Sequence, residues 1–137
     1  MAGASNRYVL EVRRALEVGA ARLAAVRRTP EDVARMRELI TARNRAHAVR
    51  DLDAAVAADT ELHRAIGQAS HNPVLIDLYE NFLATVEENI RRSVAASGTV
   101  DDDEHVTLVE AIASGDVETA AVEAECYLDL LMQAADR

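Results

Sequence analysis

The chain has 137 residues, 50% of them apolar, with 15 basic and 24 acidic side chains and a net charge of −9. That is one domain with apolar residues enough for a core, and its acid excess argues against nucleic-acid binding by this chain alone, because phosphate contacts need a basic surface. The single Cys126 excludes a disulfide framework or a cysteine-rich zinc module. No apolar run approaches the roughly 18 residues of a membrane span, and the N-terminus has no signal-peptide core, so a cytoplasmic location without membrane contact is expected. The charge is lopsided: residues 1–50 carry 11 arginines against 5 acids, residues 51–137 carry 4 against 19.

Five glycines, two prolines and no alternating β-branched runs make the chain helical throughout. The first helix is expected from about Asn6 to Arg27, with Val9, Val12, Leu16, Ala20 and Leu23 along one face. Thr29-Pro30-Glu31-Asp32 is a helix start: a cap, a proline at the first helical position, then acids at the positive end of the dipole. A second helix follows with Val33, Met36, Leu39 and Ile40 inward, ending near Arg50, and Asp51 or a neighbour opens a third that runs to about Ser70. His71-Asn72-Pro73 repeats the cap-plus-proline logic for a fourth helix that Gly98 stops near Ser97. The acidic run Asp101–Glu104 suits the first turn of a fifth helix; it lacks the glycine and ligand spacing of a calcium loop. Gly115-Asp116 separates this from a sixth, from Val117 to about Ala134. Short links make an all-α antiparallel bundle of about six helices the economical solution, one domain over residues 1–137, with a core of Leu, Val, Ile and Ala.

Polar residues interrupt the apolar stripes. On the third helix the inward positions are Leu52, Ala55, Val56, Asp59, Leu62, His63 and Ile66, with Asp59 and His63 one turn apart on one face. One turn before Leu108, Val109 and Ile112 stands His105, and the stripe of the sixth helix (Val117, Ala120, Ala121, Ala124, Leu128, Leu131) includes Tyr127. Three helices thus aim polar groups at the interior, where an unpaired one costs about 1–3 kcal/mol. One explanation is a central ligand or metal cavity, since a carboxylate and imidazoles suit zinc, nickel or manganese. The other is a hydrogen bond between Asp59 and His63 along one helix. Arg13, at the edge of the first stripe, would suit a carboxylate guest, or an ion pair with Glu17. His47 and His71 fall at helix ends, where the negative dipole suits an imidazole, and Cys126 reads as a small core or boundary residue. No GxSxG, Gly-rich phosphate loop or HExxH is present.

The segment Tyr8-Val9-Leu10-Glu11-Val12-Arg13-Arg14-Ala15-Leu16-Glu17, continued by Ala20 to Ala25, resembles the opening of the FadR-like C-terminal (FCD) domain of GntR-family transcription regulators. So do Asp59 to Ile66, Ala69 to Pro73, and the closing stretch from His105 through Gly115-Asp116 to Tyr127-Leu128. The resemblance covers nearly the whole chain. It implies an effector-sensing, dimerising helical domain that controls DNA binding by a separate N-terminal winged helix-turn-helix, which this chain does not include. The chain is then one domain of a longer regulator or a free-standing sensor, not an enzyme, with a small organic acid as effector and a second copy as partner.

In many members a divalent metal held by one Asp and three His helps to bind that acid. Asp59, His63 and His105 match the first three ligands, Tyr127 stands where the family usually has the fourth histidine, and Arg13 matches an arginine that faces the effector. A neutral phenol is a poorer ligand than imidazole, so Tyr127 is expected either to weaken the metal site or to hydrogen-bond the effector. The alternative from another class is a small helical-bundle metalloenzyme in which a metal activates water.

Overall fold

Caps and prolines set the helix ends in the chain, whose computed structural model describes residues 6–97 and 102–135. The six helices are α1 (Asn6–Arg27), α2 (Pro30–Ala48), α3 (Leu52–Ala69), α4 (Pro73–Ser97), α5 (Asp102–Ser114) and α6 (Val117–Ala135). Thr29 and Asp32 form a reciprocal capping box at the start of α2, each side chain accepting the other's backbone N–H at 3.1 and 2.9 Å. Asp51 caps α3 through Ala54 N–H, and Asn72 caps α4 by accepting from Val74 and Leu75 N–H. Helix α2 stops at Ala48, two residues before the expected Arg50, because Arg50 takes a positive φ of 59° to turn the chain. Gly115 takes φ 75° after α5, where an added Cβ would meet the Arg28 guanidinium at 3.1 Å. The expected stop at Gly98 and the first acid of the run, Asp101, lie outside the described residues.

Helices α1 and α6 run antiparallel, as do α3 and α4. Arg14 bonds Glu125 and Asp129 while Arg22 reaches Glu118, pairing α1 with α6; Arg64–Glu80 and Arg91–Asp53 do the same for α3 and α4. Helix α2 lies along α3, and α5 against α6, α1 and α2. The larger apolar cluster joins Ala20, Ala21, Ala24 and Ala25 of α1 to Met36, Leu39, Leu62, Ile66, Leu108, Ile112 and Ala124. A smaller one joins Val56 to Tyr79, Val86 and Ile90 on α4. Alanine on α1 and α6 lets these helices approach closely without large side chains.

The α1 face differs from expectation. Val12 is 44% exposed, Leu16 and Leu23 are half-buried, and the buried line runs Val9, Leu10, Arg13, Glu17, Ala20, Ala21, Ala24. Two charged residues occupy inward positions there, so a pattern scored on apolar residues alone rotates the helix by about one position. Leu52, expected inward, is likewise 42% exposed, and Cys126 is exposed instead of forming part of the core or its boundary.

His71, just past α3 with φ 49°, places Nε2 2.7 Å from Asp32 Oδ2, tying the α3–α4 link to the first turn of α2. Its partner is therefore a carboxylate and not the end of a helix dipole. Partial burial pushes the Asp32 carboxyl up, but the bonds from His71 and from Thr29 outweigh it and hold it below its ordinary 3.8. A depressed carboxyl pKa stabilises the fold above the unfolded value and loses that contribution as pH falls through the folded one. We expect His71→Ala to cost at most about 1 kcal/mol at pH 6, since the pair is part-exposed. The difference from wild type should shrink below about pH 4 and vanish once Asp32 is protonated. Urea melts at several pH values read this directly, and a mutant penalty that persists at pH 2 would contradict it.

Candidate metal and effector site

One turn away from the larger apolar cluster, each helix contributes a polar side chain to a common interior. Asp59 and His63 come from α3, His105 from α5, Arg13 and Glu17 from α1, Arg43 from α2, Asn89 from α4 and Tyr127 from α6. Asp59 Oδ1 lies 3.1 Å from His63 Nε2 and 3.5 Å from His105 Nε2, and one ligand atom from each of the three residues falls within 4.8 Å of the others. All three side chains are buried.

The Asp59–His63 contact is not the simple hydrogen bond along one helix that the sequence left open. The two atoms are close, yet neither Asp59 Oδ1 nor His63 Nε2 has a hydrogen bond of acceptable geometry among the described residues. Both lie beside His105 Nε2, within the 4.8 Å that holds one ligand atom of each residue. Two atoms that each bind one ion at about 2.1 Å stand about 3.0–3.5 Å apart, the separation found here. The other nitrogen of His63 is already committed: Nδ1 lies 2.8 Å from Glu17 Oε1. Burial pushes the Glu17 carboxyl up, but Arg13 and His63 outweigh it and hold it at about 2. As an ionised acceptor it obliges Nδ1 to donate, so in the neutral form that a metal ligand requires the Nε2 lone pair would be the one near Asp59 and His105. A carboxylate behind a ligating imidazole is the usual second support of a metal site. The residues present therefore fit a divalent cation, which Asp59, His63 and His105 would hold.

Around this triad the charges are paired. Burial would push the Asp59 carboxyl up, but His105 and His63 hold it well below its usual range, and the Arg43 guanidinium lies 3.4 Å from its other oxygen. His63 is lowered by burial and raised more by Glu17 and Asp59. Arg13 is 0% exposed, far from the stripe edge expected for it, and donates to Glu17 at 2.7 and 3.2 Å and to Asn89 at 2.8 Å. Asn89 in turn donates to Asn6, so the hydrogen-bonded line runs from His63 to the start of α1. Arg13 faces Glu17 and Arg43 faces Asp59, and His63 lies between the two acids.

Tyr127 lies where the stripe placed it. Its ring is stacked on His63 at 5.6 Å and edge-on to His105 at 4.6 Å, with the Arg13 guanidinium 6.0 Å from its centre. Burial and the nearby Asp59 charge push its phenol up, so it stays protonated and serves as a donor more readily than as an anionic ligand. A narrow cavity bounded by Glu17, His63, Tyr79, Leu108, Tyr127 and Leu128 adjoins the triad, with room for roughly one water. Sequence reasoning brought Asp59, His63, His105, Tyr127 and Arg13 to this site, and the structure assembles all five. It passed over Arg43, Tyr79 and Asn89, and saw Glu17 only as a partner of Arg13. Arg43 follows Met36 and Leu39 at seven and four residues, a spacing that marks it as inward.

The family model described as the FCD domain matches residues 8–129. The chain belongs to the FCD family. Among curated proteins it is similar to a putative L-lactate dehydrogenase operon regulatory protein of Escherichia coli K12, 32% identical over 118 residues, which cover 82% of this chain and 44% of that protein. It is also similar to the Uxu operon transcriptional regulator of the same organism, 31% identical over 81 residues, 59% of this chain and 32% of that one. The chain thus spans less than half the length of these relatives. In fold it matches Streptococcus agalactiae GntR (TM-score 0.76, 19% identity, 93% of this chain and 58% of that one) and E. coli McbR/YncC (TM-score 0.74, 19% identity, 93% and 64%). The expected all-α FCD architecture and GntR-type kinship are borne out, and FCD membership identifies a regulatory domain. Relatives named as transcriptional regulators set the metalloenzyme alternative aside. No helix among the described residues is long and apolar enough to cross a membrane.

Proposed function

We propose that residues 1–137 form an effector-sensing unit of a bacterial GntR-type regulator that holds a divalent cation at Asp59, His63 and His105 and senses a small carboxylate beside it. The observation that carries this is the convergence of Asp59 Oδ1 and His63 Nε2, buried and without hydrogen bonds, on His105. Zinc, nickel and manganese all accept this donor set. The cation would supply two positive charges and an open position for a carboxylate oxygen. Glu17 holds His63 in its donor tautomer, Arg43 flanks Asp59, and the neutral Tyr127 phenol, with Arg13 near its ring, would face the guest. A guest larger than a water has to displace side chains, and that displacement is how its binding reaches the surrounding helices.

On this reading the domain acts in the cytoplasm, pairs with a second copy through its outer faces and changes the spacing of DNA-binding domains carried by the same polypeptide. An effector can do so only through different affinities for the two arrangements. A relative named for an L-lactate dehydrogenase operon agrees with a small carboxylate as effector. Elemental analysis of the purified chain, followed by a thermal-shift screen of small organic acids with zinc present, tests the proposal. One bound cation per chain and a rise in Tm with at least one acid are expected; a chain that neither retains nor takes up any divalent ion contradicts it.

A further inference from the structure

Tyr79 is the side chain in this cavity that the metal and its supports do not use. It projects from α4, is 2% exposed and lines the same narrow cavity as Glu17, His63 and Tyr127. Its hydroxyl has no hydrogen-bond partner among the described residues. Glu17 stands close enough to act on the phenol, but the geometry between the two is not that of a hydrogen bond. Burial, reinforced by the Glu17 charge, holds the phenol well above its ordinary value, so it keeps its proton and can donate. A phenylalanine would fill the same space without burying an unsatisfied hydroxyl, which is costly. The hydroxyl is therefore available to a guest that enters the cavity.

We propose that Tyr79 is a specificity-determining residue: its hydroxyl hydrogen-bonds an oxygen substituent next to the carboxylate of the effector, so that the domain selects hydroxy or oxo acids over their unsubstituted counterparts. This rests on the metal-assisted carboxylate reading above. The reach follows from the cavity. His63 and Tyr79 line one small cavity with room for roughly one water, so a guest whose carboxylate lies at the triad would extend its neighbouring substituent toward the Tyr79 side chain. A site with a buried donor rejects a guest lacking the acceptor, because that donor is then left unpaired.

The test is calorimetry on the zinc-loaded chain with three matched pairs, glycolate and acetate, lactate and propionate, malate and succinate, for wild type and Tyr79→Phe. Wild type is expected to prefer the hydroxy member of the pair that fits by about tenfold, the worth of one hydrogen bond. Tyr79→Phe should bring the two members within about twofold of each other, with zinc affinity and binding of the unsubstituted acid unchanged. Its ligand-free Tm should equal or exceed that of wild type, since a hydroxyl without a partner is removed. Equal affinities in wild type, or a preference that survives Tyr79→Phe, would overturn the inference while leaving the carboxylate reading intact. A lowered Tm with the preference unchanged would make the hydroxyl structural and overturn it too. Binding of none of the six acids would overturn both.

Discussion

Replacing Arg13 by methionine should destabilise the fold by about 3–5 kcal/mol, the usual cost of stranding one partner of a buried ion pair. Burial alone would make the guanidinium easier to deprotonate, but Glu17, with a smaller contribution from Tyr127, holds its pKa well above the ordinary value. Removing it leaves the Glu17 carboxylate, 7% exposed, with His63 alone, and takes the donor from Asn89. Against a total stability of about 5–15 kcal/mol for a domain of this size, that is a large fraction. The double variant Arg13→Met/Glu17→Gln should recover part of the loss, because it removes the stranded charge as well. Urea denaturation of the three proteins reads the comparison. A single-mutant cost under about 1 kcal/mol would mean that the pair is solvated, against its burial.

The second large effect concerns Asp59. Asp59→Asn keeps the size and the buried position but replaces an anionic oxygen ligand by a neutral amide, and we expect zinc affinity to fall on the order of 100-fold or more. Glu17→Gln, which removes no proposed ligand atom and reaches the ion through His63 Nδ1, should cost less, about 10- to 100-fold. Competition with a chromophoric zinc chelator measures both. The ranking matters more than either number: a larger loss for Glu17→Gln than for Asp59→Asn would mean that the carboxylate of α1, not that of α3, binds the ion.

The helix layout was legible because its signals are local. Pro30 and Pro73, with Thr29, Asp51 and Asn72 before their helices, act through backbone groups within three residues. The triad was legible for the same reason in part, as Asp59, His63 and His105 interrupt apolar stripes whose period is read along the chain. The burial of Arg13 and Glu17 was not. A charged residue is ordinarily placed in water, and these two are inside because each meets a partner on another helix, Asn89 on α4 and His63 on α3. That information lies in tertiary contacts between positions far apart in sequence. Tyr79 was hidden differently: an aromatic among Leu75, Phe82 and Val86 looks like core, and only the absence of a partner for its hydroxyl sets it apart.

The resemblance to FCD domains supplied what spacing could not, namely that the polar positions of separate helices belong to one site. The structure adds a pairing of charges on which metal and effector would both depend. Arg13 and Arg43 already face Glu17 and Asp59, so an organic anion entering alone would find both arginines engaged by carboxylates. A divalent cation at the triad would supply two further positive charges beside the guest. Isothermal titration of the acid found in the screen, into the chain stripped with a chelator and into the same chain loaded with zinc, reads this coupling in one experiment. Saturable binding to the zinc-loaded chain, with affinity at least about tenfold weaker or undetectable without the ion, is the predicted result. Equal affinity in the two preparations would contradict it.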